Sequence, residues 1–480
     1  MRWACLLLPH LAIDGVLRRH PSPDATLVLV TGPAHRRVLH ALNDKARAAG
    51  LRAGMSLAAA QALTPHFACI EYDAEAVVRH RQLLASWAYR FSSQVSTDLS
   101  DAIGPDSIGP DAIVLEVGQS LNLFGPWPRF EARLREELTA LGFRHRIVAA
   151  PNPQAARVLA NAHDGLAVDD NRLDTALGNL PVECAGLDAD IATALVRMGL
   201  RRLRQVFALP RETLTRRFPP TLLPHLDVLR GRQVQPLDTY RPPDKFDTRI
   251  EFDHEIESST ALLFPLRRLT ADLAAFLAGR DGGVQRFVLR LEHESDACTE
   301  VPVGLLAPER AAAMLFELAR GRLEQASIAA PVVGLRLVAR ELPSFVPVGR
   351  DLFDARPQQA VPWEQLRERL RARLGDDAAT GLSLQADHRP ERAWRNDAAP
   401  RKAATLAAGP RPGWLLQRPI PWRGSPPRIL AGPERVETGW WDGGDVRRDY
   451  YVVESASGQR AWVYCACGEV GPYMLHGWFA

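Results

Sequence analysis

Between residues 249 and 341 the hydrophobic period alternates between strand-like and helix-like spacing, and this constrains the fold more than any single motif. Arg249–Phe252, Gln285–Glu292, Glu300–Leu305 and Val332–Ala339 have strand length and composition, while Leu262–Leu277 and Pro308–Glu324 carry helical spacing. The order is β-α-β-β-α-β, the split ferredoxin-like pattern. Such a segment fills one domain, and a chain of 480 residues with 46% hydrophobic and 24% charged residues has room for about three or four.

No run of about 18 apolar residues occurs, and Trp3–Leu8 meets Pro9 and His10 too soon for a signal-peptide core or a membrane span. A cytoplasmic chain without a membrane partner is expected. The net charge of +3 leaves any nucleic-acid partner to be sought in local clustering. The cysteines (Cys5, Cys69, Cys184, Cys298, Cys465 and Cys467) include one C-x-C pair and neither the second pair nor the His cluster of a zinc site. Most are expected to be buried free thiols, with Cys465 and Cys467 alternating along a strand; neither a metal nor a cofactor is expected.

The chain opens with strands at Trp3–Leu8, Thr26–Val30 and Arg37–Leu42, then helices at Asn43–Ala49, Ser56–Leu63 and Ala74–Phe91. Asp101-Ala-Ile-Gly-Pro, Asp106-Ser-Ile-Gly-Pro and Asp111-Ala-Ile form a tandem near-repeat whose Gly-Pro steps forbid a helix. It predicts an extended loop feeding a strand at Ile113–Val117, followed by a helix at Arg129–Leu141, a strand at His145–Ala150 and a helix from Pro153. Residues 1–165 are thus mixed α/β.

Residues 180–235 show short helices carrying Gly186-Leu187-Asp188 and Met198-Gly199-Leu200-Arg201-Arg202-Leu203, the spacing of a helix-hairpin-helix, which binds phosphate through backbone N–H groups at a helix start. Residues 191–250 hold 12 Lys/Arg against 5 Asp/Glu, a net of +7 that exceeds the whole-chain total. Arg197, Arg201, Arg202, Arg204, Arg216 and Arg217 are the candidate DNA-binding residues; a solvated Arg-rich helical face is the other reading. Beyond Leu342, four prolines enclose Arg350-Asp351-Leu352-Phe353, a charged helix is predicted at Trp363–Leu374, and 396–412 has linker composition. Residues 413–480 hold six of the 11 tryptophans and strand-like runs, fitting a small β-rich module or docking tail.

The run Asn43-Asp44-Lys45-Ala46-Arg47-Ala48-Ala49-Gly50-Leu51-Arg52-Ala53-Gly54-Met55-Ser56-Leu57 resembles the fingers motif of Y-family translesion DNA polymerases. The tails Gly432-Pro433-Glu434-Arg435-Val436-Glu437-Thr438-Gly439-Trp440-Trp441-Asp442-Gly443 and Leu475-His476-Gly477-Trp478-Phe479-Ala480 resemble the ImuB-type, UmuC-like branch, polymerase-like subunits of a bacterial mutagenesis complex. The resemblance implies an α/β multidomain (α+β) right hand. Palm and fingers would occupy 1–165 (fingers about 12–75), a helical thumb 166–240 and a ferredoxin-like little finger 245–342, whose sheet would share the grip on DNA with the thumb. A clamp-binding peptide and helix (343–395), a linker (396–412) and a C-terminal partner-binding module (413–480) would follow.

Nucleotidyl transfer on this fold needs carboxylates holding two divalent cations. By the resemblance, Leu8 stands where the first ligand belongs, and Asp111 and Ala112 stand at an Asp-Glu pair before a strand carrying Glu116. Asp14 lies further on in a helix, where a surface or capping carboxylate is the simpler reading. Asp44 replaces the tyrosine that meets the incoming nucleotide, while Arg47 matches a triphosphate-binding arginine. The expectation is an inactive polymerase homologue with no catalytic residues: a non-catalytic adaptor in DNA-damage-induced translesion synthesis and mutagenesis, within the SOS response. An active polymerase using Asp111, Glu116 and a third ligand, and a DNA-independent scaffold, are the alternatives.

Gly349-Arg350-Asp351-Leu352-Phe353 resembles the sliding-clamp-binding pentapeptide with its Gln replaced by Gly349, so Asp351, Leu352 and Phe353 are the candidate clamp contacts; packing of Phe353 on the body is the alternative. Gln119-Ser-Leu-Asn-Leu-Phe124 has a Gln but follows a palm strand. The resemblance implies as partners damaged or primer-template DNA, the beta sliding clamp, an ImuA RecA-like subunit, RecA and an error-prone DnaE-type polymerase, with the protein joining the nucleoid on DNA damage. Trp440, Trp441, Tyr450 and Tyr451 are candidate aromatic anchors for these partners or core residues of the module.

Overall fold

The computed structural model describes residues 2–20, 25–98, 111–294, 298–328, 330–345, 363–375, 380–397, 411–423 and 425–479. The chain folds as two compact units, Met1–Arg373 and Leu374–Ala480.

The first unit is organised around the strand Trp3–Leu8, buried on both faces. It pairs antiparallel with Asp111–Glu116 and with Arg146–Ala150, and Val95–Ser96 completes the sheet beyond Asp111–Glu116. Its alternation divides the core: Trp3, Cys5 and Leu7 pack with the helix Pro153–Ala162, whereas Ala4, Leu6 and Leu8 pack with the helices Ala74–Ala88 and Trp127–Leu141. A continuous apolar run is what a strand enclosed on both sides requires.

Val38–Leu42, Leu27–Thr31 and Ala68–Glu71 form a second, three-stranded sheet in that order, its parallel pair crossed by the helices Asp44–Ala48 and Leu57–Leu63. The motif beginning at Asn43 has local structural duties. Asn43 Oδ1 accepts hydrogen bonds from Ala46 N and Leu27 N, so one side chain caps the helix and ties it to the sheet, and Ser56 caps the next helix. Gly50 and Gly54 sit at φ +86 and +82, backbone that disfavours other residues.

Five short helices follow, Asp170–Gly178, Ala189–Arg197, Leu203–Phe207, Arg211–Arg217 and Leu222–Leu229. Their buried leucines join the core on the Trp3/Cys5/Leu7 face of the first sheet.

The next domain has the expected β-α-β-β-α-β order, with strands Phe246–Ile256, Val284–Glu292, Cys298–Glu309 and Val332–Glu341 and helices Leu263–Gly279 and Ala312–Gln325. All pairings are antiparallel, and the second and fourth strands lie at the centre of the sheet. Pro308 and Glu309, expected to open the second helix, extend the preceding strand, because Glu309 rejoins the ladder opposite Val284 after an irregularity. Helix Leu263–Gly279 crosses Ala74–Ala88 so closely that a Cβ on Gly279 would sit 1.8 Å from Ser86 O. The contact is reinforced by a buried Arg18–Asp272 ion pair, and removing either partner would strand a buried charge at a cost of about 3–5 kcal/mol. Tyr240, in the segment leading into this domain, is held at 2.6 Å by Ser86 Oγ and donates its backbone N–H to Val95 O.

The second unit contains a hairpin, Gly381–Leu384 with Trp394–Asp397, and a five-stranded antiparallel sheet in the order Trp414–Pro421, Met474–Trp478, Arg460–Ala466, Val446–Glu454, Arg428–Thr438. Tyr450 is core: it stacks on Trp462 and its hydroxyl lies 2.9 Å from His476 Nδ1. Trp440 and Trp441 are 76% and 60% exposed in the turn between two strands. That turn is held by Asp442, which accepts from Arg389 and Arg392, so the paired indoles project from a fixed loop.

The thiols depart from expectation. Cys5 and Cys465 are buried, but Cys69 and Cys298 are exposed, both on edge strands, and Cys184 and Cys467 are half-buried. Cys467 also lies just beyond its strand, which ends at Ala466.

Candidate nucleic-acid interface and the palm carboxylates

Strand register decides what the palm residues can do together. Leu8 lies opposite Asp111, Leu7 opposite Ala112 and Trp3 opposite Glu116. Leu8 is 1% exposed, and Ala112 is buried in the opposite core. Neither side chain offers an oxygen.

Asp111 and Glu116 occupy opposite ends of one strand, and five residues of extended chain separate them by about 17 Å. They cannot share an ion, which removes the pairing that an active polymerase with these two ligands would need. Each carboxylate is also engaged. Asp111 accepts from Arg81 Nη1 at 3.0 Å; burial pushes its carboxyl above the usual range, and the arginine opposes the shift. Glu116 is buried and accepts from the backbone N–H groups of Arg2, Gly118 and Gln119, fixing the turn after the strand. Among the described residues these carboxylates do not converge on a site for two divalent cations. Among the described residues no group of three or more His, Cys, Asp or Glu side chains could hold a metal ion.

Asp14 is neither a surface nor a capping carboxylate. It is 3% exposed and accepts from Arg144 N at 2.9 Å and Nε at 2.8 Å, with Nη2 at 2.7 Å. Arg144 Nη1 reaches on to Asp44 Oδ2 at 2.8 Å, Arg47 Nη1 lies 3.3 Å from Asp44 Oδ1, and Arg47 Nη2 lies 3.3 Å from His10 Nδ1. The arginine matched to a triphosphate therefore faces an anion supplied by the chain itself. Burial, with Arg144 and Arg47 close by, lowers the His10 pKa to about 4. Sequence reasoning missed Arg144. Its visible signal is the run Phe143-Arg144-His145-Arg146, but the partners lie 100 and 130 residues away.

The six candidate thumb arginines are exposed. Arg197 ends one helix, Arg201 and Arg202 occupy the following turn, Arg204 opens the next helix, and Arg216 and Arg217 end another. Arg217 Nη1 lies 3.9 Å from Met198 Sδ, so the last pair joins the hairpin. Among the described residues none of the six has a carboxylate within ion-pair distance. Arg202 is partly committed, donating to Asn179 O at 2.9 Å. Nearby arginines behave differently: Arg211 pairs with Asp227 and Arg230 with Asp174.

At the second turn of the hairpin, Gly199 and Leu200 donate their backbone N–H groups to Val196 O and Leu195 O, Leu203 donates to Leu180 O, and Arg201 and Arg202 both donate to Gln205 Oε1.

The sheet of the following domain differs from the thumb. Its outward face carries a cross-strand row of Arg249, Arg336 and Arg290, ending at Glu300. Every arginine in it is neutralised. Arg249 Nε lies 2.5 Å from Glu292, Arg336 makes bonds of 2.6 and 2.8 Å to Asp247, and Arg290 lies 2.8 Å from Glu300.

Asp351, Leu352 and Phe353 lie outside the described residues, as do the Gly-Pro repeat up to residue 110 and the linker residues 398–410. The Gln119 segment is a short helix, Leu121–Phe124, whose Phe124 packs against Phe91 and Phe130.

Comparison with known proteins agrees with the resemblance seen in the sequence. Residues 13–161 match the IMS family, described as impB/mucB/samB. The chain is 28% identical over 473 residues to Protein ImuB of Caulobacter vibrioides strain NA1000 / CB15N, covering 90% of this chain and 100% of that protein. The same identity and coverage hold for Protein ImuB of strain ATCC 19089 / CIP 103742 / CB 15. Among solved structures it is similar to an insertion ternary complex of Dbh DNA polymerase (13% identity, 71% of this chain, 98% of that chain, TM-score 0.41). It is also similar to DinB from Sulfolobus solfataricus (14% identity, 72% and 100%, TM-score 0.40). No helix among the described residues is long and apolar enough to cross a membrane.

Proposed function

We propose that this chain is a non-catalytic, polymerase-shaped DNA-binding adaptor acting in translesion synthesis and mutagenesis after DNA damage. The likeness to ImuB and to the impB/mucB/samB family supports a role related to DNA damage. The observation that carries the non-catalytic part is the palm register: Leu8 is core, Ala112 is apolar, and Asp111 and Glu116 sit at opposite strand ends. Mg²⁺ sheds water reluctantly and needs convergent oxygen ligands, which this arrangement does not supply.

In this reading the exposed thumb arginines grip the backbone of primer-template or damaged DNA without reading sequence, gaining affinity by releasing counterions. The peptide at 349–353 tethers the chain to the beta sliding clamp. Trp440 and Trp441, presented by a fixed loop, serve as anchors for the proteins that complete the complex: an ImuA RecA-like subunit, RecA and an error-prone DnaE-type polymerase. The protein works in the cytoplasm on the nucleoid and takes no cofactor.

Two measurements test the adaptor. Fluorescence anisotropy with labelled primer-template should show steeply salt-dependent binding; absence of affinity at low salt would leave only a DNA-independent scaffold. In a clamp pull-down, Leu352→Ala with Phe353→Ala should abolish association, whereas Leu123→Ala should leave it intact. Retention of the clamp by the double variant would overturn the tether.

A further inference from the structure

The helix Trp363–Leu374 turns an apolar stripe to solvent. Its inner side is committed: Glu368 is buried, and its Oε1 accepts the backbone N–H of Leu306 at 2.9 Å. Ala372 is 5% exposed and joins the core of the sheet domain, with its carbonyl oxygen so close to Gly321 that a Cβ there would lie 2.9 Å away. Glycine at 321 therefore permits the approach that fixes which side of the helix faces out.

Trp363, Leu366, Leu370 and Leu374, at positions i, i+3, i+7 and i+11, are 61%, 40%, 37% and 65% exposed. On a 3.6-residue period they form one narrow stripe. Arg369 and Arg373 border it on one side; on the other stand Arg367 and Arg371, the latter with Nη1 3.9 Å from the inward-turned Glu368. An ordered apolar stripe left uncovered marks an interaction surface.

We infer that this helix face is a docking surface for an acidic amphipathic helix of a partner protein, whose apolar side packs on Trp363, Leu366 and Leu370 and whose flanking carboxylates meet the arginine rims. The charge pattern selects this occupant. A second copy of the same helix would bring arginine rims against arginine rims, which destabilises helix pairing. An anionic lipid surface would match the charge, but interfacial helices bury a broad apolar face, and this one is narrow and backed by folded protein. The inference stands independently of the adaptor reading, since it needs neither DNA binding nor the palm.

The test uses the full-length chain and two synthetic helical peptides with identical leucine stripes, one flanked by glutamate and one by lysine. Calorimetry should show the glutamate peptide binding at least about tenfold more tightly, with affinity falling as salt rises. Leu366→Glu with Leu370→Glu should remove that binding without altering the thermal melt. Arg369→Glu with Arg373→Glu should reduce or invert the preference, a readout that general unfolding does not produce. Equal affinity for both peptides, or binding indifferent to these substitutions, would overturn the inference. So would self-association in ultracentrifugation, or flotation with phosphatidylglycerol-rich vesicles, if either were lost in the leucine variant.

Discussion

The short helices between Ala189 and Arg217 and the sheet between Phe246 and Glu341 both display arginines, and among the described residues six on the helices and their turns meet no carboxylate, while the cross-strand row on the sheet is paired. In the thumb, Arg197, Arg201, Arg204 and Arg216 stand exposed without a carboxylate neighbour among the described residues. On the sheet, Arg290 and Arg336 each meet an acid from an adjacent strand, and Arg249 reaches Glu292 across the intervening strand. A row of arginines across strands would repel itself unless acids were interleaved, and pairing them spends on the fold the charge that DNA would otherwise meet. Counting cations along a sequence cannot separate these cases; the register does.

The largest effect should come from the thumb. Replacing Arg197, Arg201, Arg204 and Arg216 by Ala should weaken primer-template binding roughly a hundredfold near physiological salt and flatten the log–log salt slope by about 3 to 4. Unchanged affinity and slope would show that the thumb field is ordinary surface charge. A smaller effect of opposite sign is expected on the sheet. Glu251→Gln, Glu292→Gln and Glu300→Gln together should unmask Arg249 and Arg290 and raise nonspecific DNA affinity by about threefold to tenfold. A fall in affinity would mean that the paired row already touches DNA.

The smallest effect concerns pH. Arg336 holds the Asp247 carboxyl below its usual range, so the pair and the stability it adds are present above the ordinary Asp pKa and are lost only as pH falls below that range. Lowering the pH from 7 to about 5 should therefore leave the sheet's contribution to DNA binding unchanged, as measured by the difference between wild type and Arg336→Ala. A difference that grows over this interval would contradict the pairing.

Much of the framework was legible in the sequence because it rests on local signals. Apolar runs bounded by Pro and Gly located the palm strands, Ser56 marked a helix start, and the alternation between 249 and 341 gave the element order. What the sequence could not disclose was pairing between distant residues. The Asp14–Arg144–Asp44 chain spans 100 residues and more, and Glu116 was a candidate ligand until the register placed it opposite Trp3. Short strands lacked enough residues to show a period, so Ala68–Glu71 and Val95–Ser96 passed unnoticed, as did the hairpin at 381–397. Tyr450 and Trp440 carry the same aromatic signal and take opposite roles, one in the core and one in solvent.

Primer extension is the most direct trial of the account. Purified wild-type chain and an Asp111→Ala control are offered a primer-template and all four deoxynucleotides with Mg²⁺ or Mn²⁺. The geometry around Leu8, Asp111 and Glu116 predicts that neither protein lengthens the primer with either cation, while both still bind it. Extension by the wild type that disappears in Asp111→Ala would contradict the account.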